Sequence, residues 1–122
     1  KLEAEEALHL YADADKLARV FNNILKNAVA YSYPDTPITV RAFRNKNKII
    51  LSFENHGKNI PKEKLDSIFE KFFRLDSSRR TNTGGAGLGL AIAKEIVELH
   101  GGSISAKSQE EKVVFTVELP VK

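Results

Sequence analysis

The chain has 122 residues, 42% of them hydrophobic and 29% charged, with a formal net charge of +3. That is the profile of one ordinary globular domain burying roughly two-thirds of its unfolded surface. The lack of cysteine excludes disulfides and thiolate metal sites, and the small positive excess falls far short of a dedicated nucleic-acid binder.

No apolar run approaches the roughly 18 residues of a membrane span, and no signal peptide is visible. The sequence opens on Lys1 and stops shortly after Pro120. A single domain over residues 1–122, cut from a longer protein, is expected.

In chain order, residues 8–12 form a short apolar strand candidate closed by Asp13. Residues 15–31 carry Leu17, Val20, Phe21, Ile24, Leu25 and Ala28 at helical spacing, with Asp13 as candidate N-cap. A breaker-rich loop follows at 32–37. Residues 38–43 and 48–54 read as strands joined by a turn at Asn45-Lys46-Asn47.

Pro61 suits the first position of a short helix extending towards Phe72. Residues 76–85 make a long polar loop. In the last helix Leu88, Ile92, Ile96 and Leu99 recur at helical spacing until Gly101-Gly102 stops it. Residues 103–106 and 113–119 form a closing hairpin around Gln109-Glu110-Glu111-Lys112. The order β-α-β-β-α-loop-α-β-β predicts an α+β fold. It is a two-layer sandwich with a mixed, mostly antiparallel sheet of about five strands and three helices on one face.

Residues 83–90 read Thr-Gly-Gly-Ala-Gly-Leu-Gly-Leu. Gly85, Gly87 and Gly89 alternate, so the backbone can approach a ligand closely. A glycine loop opening into a helix presents unpaired N–H groups and the positive dipole end, which suits a polyphosphate. A purely structural glycine turn is the alternative for this run taken alone. A Walker loop is excluded because Leu90-Ala91 follows Gly89. A dinucleotide fingerprint fails because position 90 is leucine and residues 75–83 are too polar for a buried strand.

Asn23 and Asn27 are four residues apart and share one helix face, which Tyr31 extends by a turn. Three asparagines (Asn22, Asn23, Asn27) in one helix run against propensity. A solvated face is the bland explanation. The chemical one is Mg²⁺ bound to a nucleotide, an ion that keeps waters and phosphate oxygens and takes few protein ligands. A neutral amide oxygen coordinates it without repelling phosphates. Two further segments stand out: Asn55-His56-Gly57-Lys58-Asn59-Ile60 before Pro61, and Phe69-Glu70-Lys71-Phe72-Phe73-Arg74. Alone, the first is a turn and the second an amphipathic helix with a core-facing aromatic stripe.

In this order and spacing the four segments resemble the ATP-binding domain of bacterial sensor histidine kinases. These belong to the superfamily that also holds gyrase B, Hsp90 and MutL. Asn23-Ile24-Leu25-Lys26-Asn27-Ala28 resembles the family's N box, Asn55 to Ile60 its G1 box, Phe69 to Arg74 its F box, and Gly85-Ala86-Gly87-Leu88-Gly89 its G2 box. The resemblance covers residues 8–120. Residues 16–27 and 84–94 look closest to vancomycin-resistance-type sensors.

The resemblance implies a Bergerat-type sandwich that binds ATP and Mg²⁺, and a catalytic set of Asn23, Lys26 and Arg74. Asn27 would coordinate the metal, with Asn23 and Lys26 near the phosphates and Arg74 reaching the γ-phosphate. Tyr31, Asn55, Gly57, Ile60 and Phe69 would line the nucleotide, while Gly85, Gly87, Leu88 and Gly89 would offer backbone contacts. Residues 75–84 would form a lid, in which the roles of Arg79 and Arg80 stay open. The implied partner is the helical dimerisation and phosphoacceptor domain of the same kinase, with a response regulator met indirectly. Neither nucleic acid nor direct membrane contact is implied. The implied location is the cytoplasmic portion of a bacterial inner-membrane sensor.

Two departures from the family pattern stand out. Asn55 and Asn59 occupy G1 positions usually held by Asp and Gly, and Ala30 replaces a residue that is often basic. None of His9, His56 and His100 has the Ser-His-Glu-Leu-Arg-Thr-Pro setting of an acceptor histidine. The acceptor is therefore expected on another domain. A superfamily ATPase or serine kinase is the enzyme alternative, disfavoured because Phe21-Asn22-Asn23-Ile24 holds no carboxylate to activate water. A degenerate nucleotide-binding docking module is the non-enzyme alternative, kept open by Asn55 and Ala30.

Overall fold

The apolar stripe of the first long segment winds into α1 (Ala14–Tyr31). Val20, Ile24 and Ala28 are buried along it, and Leu17, Phe21 and Leu25 pack on the flanks of the core. The computed structural model describes residues 2–4, 14–70 and 89–120. Asp13, the strand expected at 8–12, the polar loop at 76–85 and Leu88 lie outside the described residues.

Alternation of buried and half-exposed positions builds the two central strands of the sheet, residues 48–56 and 112–120. Strands β1 (Leu2–Ala4), β2 (Ile38–Asn45), β3 (Lys48–His56), β4 (Ser103–Gln109) and β5 (Lys112–Pro120) lie in the order β1-β2-β3-β5-β4. β1 runs parallel to β2, and every other pairing is antiparallel. The register sets Ile49 against Leu119, Leu51 against Val117 and Phe53 against Phe115. These side chains form one core with Val20, Ile24 and the inner face of the last helix. The result is the expected two-layer α+β sandwich, helices on one side of a mostly antiparallel sheet.

β3 extends two residues past the expected Glu54, because Asn55 pairs with both Ile38 of β2 and Val113 of β5. Asn55 is therefore a core-facing strand residue rather than part of a turn, and His56 closes the strand. The segment after Pro61 also takes a tighter form than a regular helix. Pro61 is extended (φ −53°, ψ 137°) and introduces two 3-10 turns, Lys62–Lys64 and Ser67–Phe69. Only Leu65, Ile68 and Phe69 are apolar enough to turn inward, and i→i+3 bonding suffices to seat them.

The last helix, α2 (Gly89–Leu99), buries Leu90, Ala93, Ile96 and Val97. Ile92 packs on the edge of the core, whereas Leu99 is 73% exposed, so the buried face is rotated from the sequence stripe. The stop is a Schellman motif. Gly102 N–H donates to Val97 C=O and Gly101 N–H to Glu98 C=O, both at 3.0 Å. Gly101 takes the left-handed φ of 79° that this motif requires.

Candidate functional site

Asn23 and Asn27 project from one face of α1 and are half-buried, while Asn22 and Lys26 are exposed. Asn23 Nδ2 donates to the carbonyl of Gly89 at 3.1 Å, across 66 residues of sequence. This bond joins the asparagine face of α1 to the first residue of α2. A Cβ at Gly89 would lie 3.8 Å from Asn23 Cβ, an ordinary contact. Packing against α1 thus leaves room for a side chain there, and the glycine keeps the helix N-terminus open to a close approach.

The C-terminal end of α1 meets the end of β3. Ser32 bridges Gly57, and Tyr33 N–H donates to His56 C=O at 2.7 Å. A Cβ on Gly57 would sit 2.5 Å from the Tyr31 carbonyl oxygen and 3.1 Å from Asn55 Nδ2. Only glycine allows so close a passage. Asn55 is 2% exposed. Tyr31 and Asn27 flank this end of the helix and are half-buried. Ile60 and Phe69 are core residues, Phe69 packing edge-on against Phe115 at 6.2 Å between ring centroids.

The β4–β5 hairpin tip braces this loop. Gly57 N–H donates to Glu111 C=O at 3.0 Å, and Glu111 N–H donates to Asn59 Oδ1 at 2.8 Å. Ser108 Oγ accepts Ile60 N–H at 2.8 Å, and Tyr33 O–H donates to Glu111 Oε2 at 3.0 Å. Glu110 and Glu111 both adopt left-handed φ values, 53° and 59°. Such a two-residue tip matches the twist of the strands but strains non-glycine residues. The bonds to Glu111 offset that strain. Desolvation, then the hydrogen bond to Glu111 and its negative charge, raise the Tyr33 phenol above its usual pKa.

Sequence reasoning marked Asn23, Asn27, Tyr31, Asn55, Gly57 and Gly89 separately; the fold brings Asn23 to Gly89 and Tyr31 to Asn55 and Gly57, with Asn27 between the two groups on α1. It missed Tyr33, Ser108 and Glu111. No local signal reveals them, because their partners lie 48 to 78 residues away. Asn59 carried a hint as a departure from the glycine of the resembled motif. Arg74, Gly85, Gly87, Leu88 and the lid at 75–84 lie outside the described residues.

Among the described residues no group of three or more His, Cys, Asp or Glu side chains could hold a metal. The available donors are the neutral carboxamide oxygens of Asn23 and Asn27. Asn23 spends its Nδ2 on Gly89, which leaves its oxygen for another donor or a cation. That set suits a hard ion delivered with its own phosphate oxygens and waters, and does not suit a cation held by protein alone.

Residues 12–122 match the model of the histidine kinase-, DNA gyrase B- and HSP90-like ATPases. The chain belongs to this ATPase family. It is 55% identical over 119 residues to the sensor protein VanS of Enterococcus faecium, covering 98% of this chain and 31% of that protein. The chain thus spans about a third of the length of this curated relative. Among solved structures, the catalytic domain of histidine kinase ThkA superposes with a TM-score of 0.85 at 32% identity. That match covers 98% of this chain and 76% of the other. A further ThkA structure, in complex with the response regulator protein TrrA, gives a TM-score of 0.82 at 31% identity, covering 99% and 33%. The chain is accordingly a histidine-kinase-type catalytic domain of this ATPase family. No helix among its described residues is long and apolar enough to cross a membrane.

Proposed function

We propose that residues 1–122 form one ATP-binding catalytic domain, which donates the γ-phosphoryl group of Mg-ATP to a histidine on a separate helical dimerisation domain. The observation that carries this reading is the Asn23 to Gly89 bond. It sets the neutral amide of Asn23 beside the glycine that begins α2, a combination suited to a metal-bound polyphosphate. Asn27 is the metal ligand in this reading. Asn23 and Lys26 serve the phosphates, Tyr31, Asn55, Gly57, Ile60 and Phe69 enclose the rest of the nucleotide, and Arg74 and the glycine run complete the phosphate contacts. When bound, Mg²⁺ supplies charge neutralisation along the phosphates.

In the transfer, the bond from the γ-phosphorus to the β–γ bridging oxygen breaks and a phosphorus–nitrogen bond forms on the imidazole. ADP leaves, and the imidazole proton passes to a base on the acceptor domain. Positioning and charge stabilisation carry the catalysis. By likeness to ThkA, whose complex contains a response regulator, the phosphoryl group then serves a response regulator in two-component signalling. We place the domain on the cytoplasmic side of a membrane sensor.

Incubation with γ-labelled ATP tests the reading. Alone, the chain stays unlabelled and hydrolyses ATP very slowly. Adding the matching helical domain labels that domain on histidine, in acid-labile form. Stable label on this chain's own serines or threonines overturns the reading, and fast unaided hydrolysis favours an ATPase.

A further inference from the structure

Asn23, Asn27, Asn55 and Asn59 belong to or border the candidate site, and Asn23 and Asn59 are anchored. Asn23 is oriented by its donation to Gly89, and Asn59 by accepting the Glu111 N–H. Asn55 differs. It is 2% exposed, the only buried polar residue among those described, and its carboxamide has no hydrogen-bond partner among the described residues. Yet no described side-chain nitrogen or oxygen is sealed from both solvent and a partner. The Asn55 carboxamide therefore faces the small opening that remains, beside Gly57, with Nδ2 3.1 Å from where a Cβ of Gly57 would stand.

An amide that meets solvent only through so small an opening is poorly hydrated, so a ligand that pairs with it there gains more than it would at an open surface. A carboxamide carries an acceptor and a donor side by side, and its two ends are nearly equal in size. With no bond fixing which end points where, rotation about the last torsion exchanges them. One orientation accepts from an amino group and donates to a ring nitrogen, the edge of a 6-aminopurine. The flipped orientation donates to a ring carbonyl and accepts from a ring N–H, the edge of a 6-oxopurine. A carboxylate at this place offers acceptors alone and would repel the carbonyl.

We infer that Asn55 makes this nucleotide site tolerant of the purine 6-position, so that it accepts 6-oxopurine triphosphates alongside ATP. The inference rests on the proposed nucleotide reading and adds the base class to it. Inosine triphosphate is the sharpest probe, since it differs from ATP only along the edge in question.

The test is a calorimetric titration of the chain with Mg²⁺ and a non-hydrolysable analogue of ATP or of inosine triphosphate, for the natural chain and Asn55→Asp. The natural chain should bind both within about fivefold of each other. Asn55→Asp should shift the ratio of the two affinities towards the ATP analogue by about tenfold or more, the loss of roughly one oriented hydrogen bond to the inosine analogue. Rejection of the inosine analogue by the natural chain, by 30-fold or more (about 2 kcal/mol), overturns the inference and needs no folded variant. So does an unchanged ratio in a folded Asn55→Asp. Failure to bind either nucleotide overturns the nucleotide reading itself, a result distinct from selective rejection.

Discussion

Asn59 Oδ1 accepts the backbone N–H of Glu111 at 2.8 Å, and through this bond the hairpin between β4 and β5 holds the loop that follows β3. The two residues are 52 apart in sequence. The loop carries Gly57 and Ile60, both also tied to the hairpin through Glu111 C=O and Ser108 Oγ. A glycine at 59 could not make the side-chain bond.

Asn59→Ala removes that acceptor and leaves a strained tip less well held. Stability should fall by about 1 kcal/mol, the usual net worth of one hydrogen bond, read from urea unfolding. Amide exchange should quicken at Gly57 and Ile60 while the α1 core stays protected. An unchanged midpoint with unchanged exchange would show that the tip is held without Asn59.

Asn27→Ala removes the proposed metal ligand and little else, since the side chain lies at the margin of the buried stripe of α1. Affinity for a non-hydrolysable ATP analogue should drop about tenfold or more with Mg²⁺ present, ~1.4 kcal/mol. Without Mg²⁺ the natural chain and the variant should bind alike. Equal affinity in the presence of Mg²⁺ would sink the metal assignment.

The glycines ending α2 give a graded pair. Gly101→Ala forces a Cβ into the left-handed region and should cost about 1–2 kcal/mol, because φ there is 79°. Gly102→Ala drives its Cβ into the Glu118 carbonyl oxygen and against the Leu119 side chain, so β5 must shift as well. Its melting temperature should lie below that of Gly101→Ala, and a reversed order would count against the packing described.

Tyr33 links stability to alkaline pH. Its folded pKa is raised, from desolvation first and then from the bond to and charge of Glu111. The folded state therefore holds the phenolic proton more tightly than the unfolded chain does. That contribution is fully present below the unfolded pKa of about 10 and is lost as pH rises through the higher folded value. Unfolding midpoints followed upward from pH 9 should fall more steeply for the natural chain than for Tyr33→Phe. Parallel curves would show that the Tyr33–Glu111 bond carries no such linkage.

Much of the architecture is written in short-range pattern. Val20, Ile24 and Ala28 recur every turn and mark α1 together with its buried face, and the alternation of residues 113–119 marks a half-buried strand. Gly101 announces the stop of α2. The four chemistry-bearing segments could likewise be picked out one by one, since each is a few consecutive residues whose types suit a phosphate, a cation or a tight turn. These features depend on neighbours within a turn or a pleat, and the chain carries them wherever it folds.

Other features were decided only when distant segments met. Asn55 became a buried strand residue because β2 and β5 pair with it on both sides. Leu99 was left exposed because the face of α2 that packed inward is the one carrying Leu90, Ala93, Ile96 and Val97. The bond from Asn23 to Gly89 and the grip of Glu111 on Asn59 and Tyr33 depend on strand register and helix packing across 52 to 78 residues. Periodicity reports which face of an element is buried but not what it will be buried against. That is why residues 23 and 89 were legible as candidates, while the bond that joins them was not.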